Sequence, residues 1–212
     1  MAKILLLLGG NYHDFMGFSA LLTPLLQSQG HQVELTYQPD SLLTLTEQHI
    51  DLVLMFTCLG NSNQNGRIAP ELPVAPTTAL IDWVAQGGKL LAAHSATVIS
   101  AGNEPLRKLI GGAFISHPPQ FAFTVYPMFQ AHPITQGIEA FSVFDEFYIQ
   151  SYSSDVDVHL AAFDRGVCYP MAWSKQAGQG RVAHIAIGHG PKVWHLAPYQ
   201  KLVLQAVDWL IS

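Results

Sequence analysis

The sequence predicts one α/β domain built on a mostly parallel sheet with an antiparallel extension. Three observations carry this expectation. Short, largely apolar runs at residues 3–8, 51–56 and 89–93 read as buried strands, and segments with helical spacing fall between them. Strand and helix alternating in this order make a parallel sheet covered on both faces. In the second half the pattern changes to strand candidates joined by short connections, which suits antiparallel pairing.

Taken in order, residues 3–8 end in Gly9-Gly10, a buried strand entering a tight loop. Residues 17–29 place Phe18, Leu21, Leu22, Leu25 and Leu26 at helical spacing, and Gly30 closes the helix. Residues 32–37 alternate like a strand, and 51–56 form the next apolar strand. Residues 61–76 are a long irregular stretch rich in Asn, Gly and Pro. Loops of that length serve as lids or binding loops, or are plain surface excursions. Residues 75–86 predict a helix with Leu80, Ile81 and Val84 on one face, ended by Gly87-Gly88, and 89–93 the strand after it. Strands are then expected at 121–126, 141–149, 156–163, 168–174 and 181–187. Gln176-Ala177-Gly178-Gln179-Gly180 reads as a hairpin turn, and 198–210 as a closing amphipathic helix. No repeat or linker divides the chain, so residues 1–212 are read as one domain.

Composition narrows the function. The chain has 212 residues, 49% hydrophobic and only 12% charged, an amount of apolar residue that fills one core and leaves an apolar-rich surface. Such a surface fits a subunit that associates with copies of itself. A net charge of -5 with no Lys/Arg cluster excludes a nucleic-acid partner. The apolar run 4–8 is too short for a membrane span or signal core, and two cysteines make no disulfide framework, so the expected location is the cytoplasm. The 10 histidines equal Lys and Arg together. Histidine titrates near neutrality and binds metals, so this excess points to chemistry. His31, His49 and His159 sit in ordinary polar contexts and receive no role.

Ligands of open α/β sheets bind outside the carboxyl ends of the strands. Gly9-Gly10-Asn11-Tyr12-His13-Asp14 follows the first strand. Its glycines admit close backbone approach and its His-Asp offers a base or ligand, or caps the next helix. His94-Ser95 stands at the strand-to-turn position where elbow enzymes carry a nucleophile. His117 lies in the Gly111–Pro118 frame, and His189 in Gly188-His189-Gly190 after the last apolar strand. Asp145-Glu146 falls inside the expected strand 141–149, where alternation lets at most one carboxylate face the site. Either could instead pair with Arg107 or Arg181. Histidines with a carboxylate suit Zn or another divalent transition metal, with His94, His117 and His189 as candidate ligands. They would equally serve as a metal-free acid/base array, since no local His-x-x-x-His spacing is present.

These segments together resemble the ThuA-like (trehalose-utilisation) proteins. The similarity runs through 10–17, 87–97, 111–118, 132–135, 145–148, 170–173, 178–182 and 188–189, nearly the whole chain in family order. The resemblance implies the class I glutamine amidotransferase-like fold, a flavodoxin-like three-layer α/β sandwich. True amidotransferases carry a nucleophilic Cys at the elbow, completed by His and Glu. Here the elbow reads Ala93-His94-Ser95, and neither Cys58 nor Cys168 fills that slot, so no glutaminase activity is expected. The resemblance also implies trehalose or disaccharide metabolism, through keto-sugars made by a partner dehydrogenase.

The expected function is therefore an enzyme that cleaves or isomerises a sugar or keto-sugar derivative. His94 is the base or ligand, His13, His117 and His189 surround the carbonyl, and Glu146 or Asp145 orients one of them. Gly10, Asp14, Ser95, Asp145, Tyr148 and Trp173 form the substrate-binding set, with Tyr148 and Trp173 stacking on the sugar's apolar face. The alternatives are a non-catalytic carbohydrate-binding or regulatory module, and a metal-dependent amidase-type hydrolase.

Overall fold

The structure is a computed structural model that describes residues 1–59, 71–128 and 131–212. Its elements, in order, begin with β1 (Lys3–Gly10), α1 (Phe15–Ser28), β2 (Gln32–Thr36), β3 (Leu52–Cys58), α2 (Val74–Ala85), β4 (Lys89–Ala93), α3 (Glu104–Ile110) and β5 (Gly112–Ser116). They continue as β6 (Phe121–Pro127), β7 (Phe141–Asp145), β8 (Ile149–Tyr152), β9 (Asp157–Asp164), β10 (Val167–Ala177), β11 (Gly180–Ile185), α4 (Pro191–Trp194) and α5 (Ala197–Ile211).

Nine strands form one sheet in the order β2-β1-β3-β4-β11-β10-β9-β6-β7. The first five are parallel and the last four join antiparallel. This is the flavodoxin-like sandwich with its expected extension. Strand alternation explains the two layers. Ile4, Leu6 and Leu8 of β1 face α1 and α5, whereas Leu5 and Leu7 face α2 and α3. All five are at most 2% exposed, and each such side chain contributes about 1.5–3 kcal/mol. Position 10 of β1 must be glycine, because its φ is +112° and a Cβ would lie 2.2 Å from the Cys58 carbonyl oxygen.

The structure differs from the sequence expectations at four points. The strand expected over 141–149 ends at Asp145, and β8 pairs with β5 in a separate two-stranded sheet. The Gly/Pro frame around His117 contains β5. Helix α3 was not anticipated, although Asn103 caps it by accepting the Leu106 N–H and Gly111 closes it at φ +84°. The irregular stretch expected over 61–76 lies outside the described residues as far as 70, and α2 begins at Val74. Among the described residues no helix is long and apolar enough to cross a membrane.

His31 and His159, read as ordinary polar residues, are 7% and 2% exposed. His159 bonds the Ser174 hydroxyl at 2.7 Å and stacks on His132, and His184 donates to the Ala92 carbonyl. Burial pushes both His159 and His184 down to about 3 from an ordinary 6.5. Both groups are neutral in either state above pH 6.5, so nothing is lost there. Between 6.5 and about 3 the unfolded chain binds protons that the folded chain refuses. Stability is expected to fall by about 1.4 kcal/mol per pH unit for each histidine in that window. Urea unfolding at pH 7, 5.5 and 4.5 checks this, and equal midpoints at all three would contradict it.

Candidate functional site

The pocket lies at the carboxyl ends of β1, β3, β4 and β11, where the sequence reading expected it. It encloses about 480 Å³, with Tyr12, His13, Cys58, His117, Glu146, Tyr148 and His189 among its lining residues. His13 comes from the loop after β1. Its Nδ1 donates to the Asn11 carbonyl at 2.9 Å, which turns Nε2 inward. His94 opens the turn after β4 at φ +43°, a left-handed conformation that costs a β-carbon residue about 1–3 kcal/mol. Its Nδ1 donates to the Ala186 carbonyl at 2.6 Å, and its ring stacks on Tyr148 at 4.3 Å. His94 is fully buried beneath the pocket and absent from its wall.

Glu146 is the hub. Its carboxylate lies 3.4 Å from His94 Nε2, 3.2 Å from His189 Nδ1 and 3.7 Å from His117 Nε2. Because β7 stops at Asp145, strand alternation does not apply, and both carboxylates serve the site. Asp145 is 1% exposed and accepts the N–H groups of Gly188 at 2.6 Å and His189 at 3.1 Å. It thereby fixes the loop that carries His189. Among the described residues neither acid pairs with an arginine: Arg107 donates to the Ile99 carbonyl and Arg181 to Ser212. His117 stands at the pocket edge with its Nδ1 donating to the Pro118 carbonyl.

Burial and the two imidazoles oppose each other at Glu146. Desolvation favours the neutral acid, yet His189 and His94 hold the carboxyl well below its usual range. His189 shows the converse, since burial disfavours its cation but Glu146 raises it. Burial and the nearby His94 push His13 down to about 3, so it is neutral. Asp145 is raised by burial, against the pull of His94 and the two N–H groups. Tyr148 is raised by burial and by Glu146 and stays a phenol.

Other expected residues fall elsewhere. Trp173 is fully buried, donating Nε1–H to the Ile110 carbonyl and packing on His184, so it does not face substrate. Asp14 caps α1 by accepting the Gly17 N–H and faces a separate depression beside Met16 and Tyr37. Ser95 is buried below the turn. Gly10 is accounted for by the close approach to Cys58. The ligand candidates are also regrouped: His13, rather than His117, joins His94, His189 and Glu146, with one ligand atom of each lying within 4.8 Å of the others. Cys58 and Tyr12 were missed. The one visible signal was that Cys58 follows an apolar run at a strand end. Burial pushes its thiol up to about 11, so it offers no thiolate at neutral pH.

A histidine elbow and an imidazole–carboxylate floor, on a doubly wound sheet, define a flavodoxin-like α/β protein whose elbow lacks the amidotransferase thiol. The chain belongs to the trehalose-utilisation (ThuA) family, whose sequence model matches residues 3–210. That places it, at family level, in carbohydrate utilisation. Among solved structures it is similar to a ThuA-like protein of Parabacteroides merdae, with TM-score 0.80, 17% identity, 100% of this chain covered and 90% of the other. It is also similar to a cytoplasmic protein of Salmonella typhimurium, with TM-score 0.69, 15% identity and coverage of 97% and 98%. A β-galactosidase of Bacillus circulans sp. alkalophilus matches at TM-score 0.63 and 12% identity, over 99% of this chain but 30% of that enzyme. At these identities the likenesses establish the fold. No curated protein matches the chain by sequence.

Proposed function

We infer that the protein is an enzyme that cleaves or isomerises a keto-sugar derivative by removing the proton beside its carbonyl. The observation that carries this reading is His117. Its Nδ1–H is anchored on the Pro118 carbonyl, and its Nε2 stands at the pocket edge facing Glu146 and the imidazole floor. A keto group acidifies the adjacent C–H, and an imidazole held in place as a base suits that transfer. The proton passes to His117 Nε2, and the C–H electron pair becomes the enolate. The developing oxyanion is held by the floor, where the His189 imidazole, which lines the pocket, is the available N–H donor. Return of the proton to the former carbonyl carbon, with the proton of the adjacent hydroxyl passing to the old carbonyl oxygen, moves the keto group and isomerises the sugar. Breaking a C–O bond β to the carbonyl instead releases an alcohol, which takes the proton from His117.

Phe114 and Tyr148, with ring centroids 4.6 Å apart, supply the apolar wall for the sugar's C–H face that the sequence reading had assigned partly to Trp173. The strained backbone at His94 favours catalysis over plain binding, because strain of this kind persists where a function holds it. The keto group would come from a dehydrogenase that oxidises a sugar hydroxyl.

The test is deuterium exchange, followed by NMR, at the carbon next to the carbonyl of a keto-disaccharide in D2O. The wild type should exchange it, and His117→Gln should be about 10²–10⁴-fold slower with an unchanged melting temperature. Absence of exchange by the wild type, or full exchange by the folded variant, rejects this function.

A further inference from the structure

We propose that His13, His94, His189 and Glu146 bind one divalent transition-metal ion of the zinc type. The site is the floor of the pocket in which the sugar chemistry was placed, and its support is independent of that chemistry.

The first support is the direction of the ring nitrogens. A carbonyl oxygen only accepts, so the bonds to Asn11 and Ala186 place hydrogens on Nδ1 of His13 and His94. The Nε2 atoms therefore point inward as lone pairs. Metal-binding histidines are held in this way, with the second nitrogen donating to a backbone carbonyl or carboxylate. The second support is that His13 Nε2, His94 Nε2 and His189 Nδ1 are all buried without a well-aligned hydrogen bond, the last two merely facing the Glu146 carboxylate at 3.4 and 3.2 Å. One such atom costs about 1–3 kcal/mol. Here three converge on one carboxylate, and a single cation satisfies all of them.

The donor set then selects the ion. Three imidazoles and a carboxylate suit Zn²⁺, Co²⁺ or Fe²⁺ and are too nitrogen-rich for Ca²⁺ or Mg²⁺. The four ligand atoms lie within 4.8 Å of one another, the one such set among the described residues. Bonds of about 2.0 Å give tetrahedral edges of about 3.3 Å, so the longest separations must shorten when the ion enters. His13, Glu146 and His189 also line the pocket, so a substrate oxygen could approach from that side. A bound ion would polarise a carbonyl oxygen as a Lewis acid. His117 lies outside the ligand set and keeps its Nε2 for proton transfer.

The experiment titrates Co²⁺ into chelator-treated, dialysed protein and follows visible absorption and metal content. The expected result is one Co²⁺ per chain, with the intense bands of four- or five-coordination. His189→Gln and Glu146→Gln should each weaken binding at least about 100-fold, because even partners of ligands cost 10–100-fold. His117→Gln should bind as the wild type does. Zn²⁺ should raise the wild-type melting temperature by mass action, a readout that needs no variant to fold. Absence of stoichiometric Co²⁺ binding by folded wild type, or binding that survives both ligand substitutions, overturns the proposal. Co²⁺ binding without deuterium exchange on the keto-disaccharide keeps the ion site and rejects the sugar chemistry. Full exchange by protein that binds no Co²⁺ does the reverse.

Discussion

His94→Ala is expected to lower both activity and stability, by about 10–100-fold in exchange rate through loss of a proposed metal ligand and about 2–4 kcal/mol in unfolding free energy. The stability loss follows from what the ring touches. Alanine leaves the Ala186 carbonyl without its donor and the Tyr148 face without its stacked partner, in a fully buried place. It also keeps a β-carbon at φ +43°. His94→Gly relieves that backbone strain and should be about 1 kcal/mol more stable than His94→Ala while remaining as inactive. Urea unfolding and exchange per folded molecule, measured on one preparation, separate the two effects. Full activity per folded molecule in the destabilised variant would remove His94 from the machinery.

Asp145→Ala should be the most destabilising single change at the site, by about 2–6 kcal/mol. It orphans two buried N–H groups, those of Gly188 and His189, at about 1–3 kcal/mol each. The rest of that loop cannot move to compensate. Gly188 has φ +126° with its position closed by the Tyr199 hydroxyl, and its carbonyl accepts Nε1–H of Trp194 at 2.6 Å. Asp145→Asn keeps one acceptor but turns an NH₂ toward an N–H donor, so it should fall between wild type and alanine. Both variants should weaken Co²⁺ binding, because His189 loses its anchor. A loss under about 1 kcal/mol in Asp145→Ala would show that the loop is held by other contacts.

Much of this fold was legible because burial writes itself into spacing. The apolar runs at 3–8, 51–56 and 89–93 correspond to β1, β3 and β4, and the helical spacings to α1, α2 and α5. The short helix α3 was legible only through its caps, since seven residues are too few to show a period. The break after Asp145 was hidden because 141–149 is strand-like in composition throughout. What ends β7 is pairing: its partner β6 begins at Phe121, opposite Asp145, and β8 finds a different partner in β5.

The site divides along the same line. Strand ends are local features, so the sequence by itself determined that His13, His94 and His189 would stand at loops after strands of the sheet, and that the elbow would carry an imidazole in place of a thiol. It equally determined the two-faced core, because alternation on a strand needs no knowledge of neighbours. Only the tertiary structure decided which atoms meet. His94 reaches the Ala186 carbonyl across 92 residues, and Asp145 holds Gly188 across 43. Ring orientation is set by such distant carbonyls, and a ring's burial by what packs over it. Neither quantity has a period or a spacing along the chain. For that reason Trp173, an aromatic residue near a site in sequence, proved to be core, and His13 rather than His117 completed the set of converging ligand atoms.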